Sequence, residues 1–219
     1  YAISGGDDAG LFTINSSTGA ISFNNTPDYE TPADLNRDNI YSFTVTASDG
    51  SLTSSSQAVT ITVTNVNDNA PVLLRNRIVL LEGATDTLTV AIATSSSNEI
   101  IANDADGLST LTFMVSTDQT AGSTSFNSSV AQGYVQLSSA PGTPITSFTY
   151  SQLAAGLVQF VHNGGEAPPS YYLCVSDGAT STAKLPVSAV MTNVNDAPVA
   201  ASKTITTLED SAYSFSTAD

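Results

Sequence analysis

The chain has 219 residues, 41% of them hydrophobic, enough for one or two domains with their own cores and too many for a disordered tail. Five Lys and Arg stand against 20 Asp and Glu, a net charge of -15, so phosphate backbones and anionic membrane surfaces are repelled and nucleic acid is excluded as a partner. Only 11% of residues are charged, and the Ser- and Thr-rich remainder suits strands and turns rather than helical bundles.

The first predicted strand is 11–14. Residues 41–47 alternate apolar odd positions with hydroxylic even ones, and 59–64 repeat the pattern, so each predicts a strand with one buried face. Further strands are predicted at 78–81, 111–115, 134–137, 157–161, 171–175 and 185–191, bounded by Gly, Asp, Asn and Ser clusters. The helical candidate, 151–155, is too short for more than a turn or two before Gly156. Short strands, frequent turns and no αβ alternation predict an all-β protein of Ig-like, Greek-key β-sandwiches. Cys174 has no partner for an intrachain disulfide and lies in an apolar run, as a buried small hydrophobe. No stretch approaches the roughly 18 apolar residues of a membrane helix, so no direct membrane insertion is expected. With no initiator Met, basic n-region or cleavage site, the chain reads as an internal fragment.

One motif occurs twice: Asn65-Val66-Asn67-Asp68-Asn69-Ala70-Pro71-Val72 and Asn193-Val194-Asn195-Asp196-Ala197-Pro198-Val199, the second having lost one Asn. A Ser-Asp-Gly precedes each at the same distance, Asp49 before Asn67 and Asp177 before Asn195. A Leu-Glu follows each, with Glu82 and Glu209, offset by the missing Asn. Long-period self-similarity marks a tandem array in which the Pro-containing joint is the linker. The expected units are 1–69, 70–196 and 197–219.

These residues resemble tandem cadherin-like repeats of the kind strung along very large bacterial surface or secreted proteins. Gly10-Leu11-Phe12-Thr13-Ile14, Thr18-Gly19-Ala20-Ile21, Asp28-Tyr29-Glu30, Ala47-Ser48-Asp49-Gly50 and the first Asn-Asp motif fall in the family's order, with the opening strands missing. Residues 70–196 are similar to the related repeat of chondroitin sulfate proteoglycan type, through Leu81-Glu82-Gly83, Asp104-Ala105-Asp106, the run 147–153, Val161-His162-Asn163-Gly164 and Val175-Ser176-Asp177-Gly178. Residues 197–219 resemble the opening strands of a third repeat.

The resemblance implies Ca2+ at each joint, and hard cations do need six to eight oxygens gathered from several loops. At the first joint it carries over Asp28, Glu30, Asn65, Asn67, Asp68, Asn69, Asp104, Asp106 and Asp177, with Asn65 where the family usually has Asp and therefore fewer ions. At the second it carries over Glu82, Glu166, Asn193, Asn195, Asp196 and Asp219. Asp49 and Glu209 would face joints with a preceding and a following unit. Taken alone, Asp49-Gly50 and Asp177-Gly178 are hairpin turns, and Asn67-Asp68 is a linker turn. His162, without a Cys or second His for zinc, reads as a strand-edge residue, and no nucleophile elbow, phosphate loop or metalloprotease helix points to an enzyme. Tyr150, Tyr171 and Tyr172 read as alternating burial rather than a sugar-stacking face.

The expected function is a Ca2+-rigidified extender or adhesion array at the cell surface or secreted, in an adhesin or biofilm matrix protein. Its partners are neighbouring repeats, with like repeats or glycans on another cell as further candidates. The alternative is a carbohydrate-binding or homophilic module attached to a secreted polysaccharide-active enzyme.

Overall fold

The structure, a computed structural model, describes residues 1–90, 98–119, 125–210, 212 and 214. Strands β1 (Ala2–Gly5), β2 (Phe12–Ile14), β3 (Ile21–Phe23), β4 (Ile40–Thr46) and β5 (Gln57–Thr62) come first, with a 3-10 turn at Ala9–Leu11. The alternation in β4 works as read: Tyr41 and Phe43 are buried and Ile40 and Ser42 exposed. β4 pairs antiparallel with β1 and β5, and β2 with β3. Phe12, Tyr41 and Phe43 form the buried core here, with Phe12 stacked on Phe43 at 4.4 Å and Phe23 edge-on to Tyr41 at 5.1 Å.

The second group is β6 (Val72–Leu81), β7 (Thr85–Thr87), β8 (Glu99–Asn103), β9 (Thr112–Ser116), β10 (Ser129–Val130), β11 (Gly133–Leu137), β12 (Ser147–Thr149), β13 (Val158–His162), β14 (Tyr172–Ser176), β15 (Leu185–Pro186) and β16 (Ser188–Thr192). A short helix α1 (Tyr150–Ala154) starts at a capping box in which Thr149 and Gln152 bond each other's backbone N–H. Sheets β10-β11-β13-β7 and β12-β9-β14-β15 are antiparallel throughout. In the third sheet, β16-β6-β8, β6 pairs parallel with β16 and antiparallel with β8. Among the described residues, one core of sixteen buried residues joins these sheets, including Phe113 stacked on Phe148 and Phe160 stacked on Tyr171. Among the described residues the two cores share no member. Residues 193–207 carry no regular element.

Two departures from the sequence reading matter for the site. β6 starts at Val72, not Ile78, because Asn76 is buried and donates to the Leu185 carbonyl (3.1 Å) while Arg75 pairs with the buried Glu99. The predicted strand 185–191 is broken at Val187, whose N–H turns to the Tyr171 carbonyl. Tyr171 lies in the core, which removes it from any sugar-stacking face, and Cys174 is buried, which pushes its thiol up.

Candidate metal centres

The two ends of β6 define the two sites. At its start, the Val72–Asn103 pairing holds residues 67–69 against the loop that follows β8, which carries Asp104 and Asp106. At its end, the Leu81–Thr192 pairing holds Glu82 against Asn193 and Val194. The long strand is therefore the ruler between the sites, one at each end of the central sheets.

At the first site, carboxylate oxygens of Glu30, Asp68 and Asp106 lie within 4.8 Å of one another, from three separate stretches of chain. Asp106 Oδ2 accepts the backbone N–H groups of Asp68 (3.1 Å) and Asn69 (2.7 Å). Asn65 and Asn67 donate their amides to the Asp106 and Asp177 carbonyls at 2.9 and 3.3 Å, so the linker is sewn to the loops beyond it. Among the described residues, Glu30 Oε1 and Asp104 Oδ2 are buried and have no hydrogen-bond partner. Burial pushes the Glu30 carboxyl up, and its contact with Asp106 and the charge of Asp68 add to that. Burial acts in the same direction on Asp106, but hydrogen bonds from Asn69, Glu30 and Asp68 outweigh it and hold that carboxyl low. Three carboxylates are thus crowded together with one Glu30 oxygen left without a donor, and a hard divalent cation relieves both the repulsion and the missing contact. A groove of about 670 Å3, lined by Asp28, Glu30, Val63, Val66, Asp68 and Asn69, leads to the cluster.

Asp28, Asp104 and Asp177 are not among the three residues whose carboxylate oxygens meet, and Asp28 and Asp177 bond within their own loops. Asp28 Oδ1 accepts the N–H groups of Glu30 (2.9 Å) and Thr31 (3.1 Å), and bonds from Thr31 hold it low, so it shapes the loop that presents Glu30. Asp177 Oδ1 accepts from Ala179 and Thr180 inside its own turn, and the Thr180 N–H is the main reason its carboxyl is lowered. Asp49 does the same with Leu52 and Ser51. Asn69 bonds its amide to Asp68 and Asp106. Asn39, which the sequence pattern does not single out, donates its side-chain amide to the Tyr29 carbonyl (2.9 Å), and its backbone carbonyl accepts the Val63 N–H (3.0 Å), tying the Glu30 loop to the chain just ahead of the linker. Its only signal was a polar turn before a strand.

At the second site, carboxylate oxygens of Glu82, Glu166 and Asp196 lie within 4.8 Å of one another. Glu82 is 8% exposed; its Oε2 accepts the Val194 N–H (2.9 Å), and its Oε1 is buried with no partner among the described residues. Asn193 donates to Glu166 Oε2 (2.8 Å), while Asn195 donates to the Asp196 carbonyl (3.4 Å). Glu209 is exposed on a turn, and Asp219 lies outside the described residues. His162 is not a strand-edge residue: it closes β13 at 3% exposure, between the loops that carry Glu82 and Glu166.

Residues 71–191, more than half of the chain, match the Cadherin-like family model, and the chain belongs to that family. Over an alignment of 114 positions that covers 49% of this chain and 2% of that protein, the sequence is 34% identical to human (Homo sapiens) Protocadherin Fat 1. Among solved structures, human mucin-like protocadherin EC1-2 is similar at 16% identity, with 84% of this chain and 79% of that one covered and a TM-score of 0.48. The protocadherin GammaB4 extracellular domain is similar at 19% identity, covering 88% of this chain and 26% of that one, with a TM-score of 0.47. No helix among the described residues is long and apolar enough to cross a membrane.

Proposed function

We propose that the chain is part of a calcium-stiffened array of extracellular cadherin-like repeats, with unit boundaries near 69/70 and 196/197, and that it serves as an extender in a surface adhesin or biofilm matrix protein. The observation that carries this reading is the meeting of Glu30, Asp68 and Asp106, one before the linker, one in it and one beyond it, with Glu30 Oε1 buried and unpartnered among the described residues. An ion held there would tie the two sets of sheets together through the linker. Glu30, Asp68, Asp104 and Asp106 would hold it, with Asn65, Asn67 and Asn69 fixing the linker and Asp28 and Asp177 shaping the loops. Glu82, Glu166 and Asp196 would form the equivalent clamp toward the next unit. The middle repeat's likeness to the chondroitin sulfate proteoglycan type and a bacterial parent belong to the same reading, on the motifs at 81–83, 104–106 and 161–164.

The test is a calorimetric titration of the full chain with Ca2+. Saturable binding with a dissociation constant of about 10⁻⁴ to 10⁻³ M is expected, the range of extracellular modules. Heats no larger than those of dilution, up to about ten times that concentration, would remove the metal from the account.

A further inference from the structure

We propose that His162 is a positioning residue that sets the separation of the Glu82 and Glu166 carboxylates; this rests on reading their cluster as a cation site. The imidazole Nδ1 accepts two backbone N–H groups, from Gly83 (3.1 Å) and Gly164 (3.2 Å). A nitrogen that accepts twice carries no proton, so the proton is on Nε2, which donates to the Ala167 carbonyl at 3.1 Å. One buried ring therefore holds the loop after β6 at one point and the loop after β13 at two. Glu82 is the neighbour of Gly83, and Glu166 lies between Gly164 and Ala167, so both carboxylates leave segments anchored on the same ring.

The backbone is built for this contact. Gly83 and Gly164 have φ of +69° and +82°, and a Cβ added to Gly83 would stand 3.9 Å from Gly164 Cα, so the loops meet glycine to glycine with both N–H groups aimed at one nitrogen. The His162 N–H also donates to the Ala84 carbonyl (2.9 Å), completing the tie to the Glu82 loop. The Glu82 oxygen left without a partner is thus held by geometry imposed from beneath, as the residues behind metal ligands commonly do.

Three substitutions separate this role from simple core filling, made in the full chain carrying Asp106→Asn so that the first cluster is weakened. His162→Asn keeps an acceptor where Nδ1 stands, His162→Gln keeps only a donor toward Ala167, and His162→Phe keeps only the volume. In titrations with Ca2+ alone, the Gln and Phe variants are expected to bind about tenfold more weakly than the Asp106→Asn parent, and the Asn variant to recover most of that loss. Should Phe fail to fold, the Asn and Gln pair decides the matter. Equal affinity in all three, or rescue by Gln and not by Asn, overturns the inference.

Amide exchange of the ion-free chain reads the same role without a ligand. The N–H groups of Gly83, Gly164 and Val194, the last reporting the Glu82 carboxylate, are expected to stay protected with Asn and to lose protection with Gln or Phe. If the parent binds no Ca2+ at this cluster while that exchange pattern holds, the cation reading of the cluster fails and the positioning role stands. If exchange is the same in all variants, the positioning role fails.

Discussion

Phe160→Ala is expected to destabilise the central sheets by about 3–5 kcal/mol, the cost of removing a buried aromatic and leaving a cavity. Phe160 is fully buried, its ring stacked on Tyr171 at 5.6 Å in the middle of a sixteen-member core. The loss should fall on one unfolding transition only, because among the described residues the core of Phe12, Tyr41 and Phe43 shares no member with it. Two resolved transitions in calorimetry, with only the larger displaced, are the predicted result. A single transition that moves as a whole would mean that the two sets of sheets unfold as one cooperative body and are not separate units.

Asp106→Asn is expected to weaken Ca2+ binding at the first site about tenfold or more, because the number of charged ligands sets affinity in oxygen-ligand sites. The residue has three tasks at once: it belongs to the cluster with Glu30 and Asp68, it accepts the N–H groups of Asp68 and Asn69, and its carbonyl receives the Asn65 amide. Asparagine preserves the volume and one acceptor but removes the charge, so the defect should appear in binding more than in folding. Asp177→Asn is the contrast. Its carboxylate is spent on its own turn, so its effect on affinity should be clearly smaller. Equal losses in a pair of calorimetric titrations would show that the turn opens to release Asp177 as a ligand.

Much of this was legible because a half-buried strand writes its period into the sequence. In β4, Tyr41 and Phe43 alternate with Ser42 and Thr44, and the pattern gave the strand and its buried face. β6 was read only from Ile78 because Arg75, Asn76 and Arg77 interrupt the apolar run; an ion pair to Glu99 and an amide bond to Leu185 make those polar residues compatible with a strand inside the sheet. β8 was missed for the same reason, since its first residue is the buried Glu99. At the sites, motif order picked out Glu30, Asp68 and Asp106, yet it could not separate them from Asp28, Asp49 and Asp177. An aspartate that accepts its own turn's N–H groups and one that turns outward to a neighbour occur in the same short polar sequences, and only the fold decides between them. His162 escaped for a different reason: its partners are backbone N–H groups at Gly83 and Gly164, and backbone donors leave no residue-type signal.

On the proposed reading a metal ion, not packing, fixes the direction of the chain across the linker. Small-angle scattering of the full chain, in about 1 mM Ca2+ and then in excess chelator, separates the two causes. A narrow distribution of dimensions is expected with the ion and a broader one, with a changed radius of gyration, without it. The strand signal in circular dichroism should be the same in both, because the two cores are apolar and contain no part of either cluster. Superimposable scattering curves in the two conditions would contradict the account and assign the linker's geometry to the amide bonds of Asn65 and Asn67 instead.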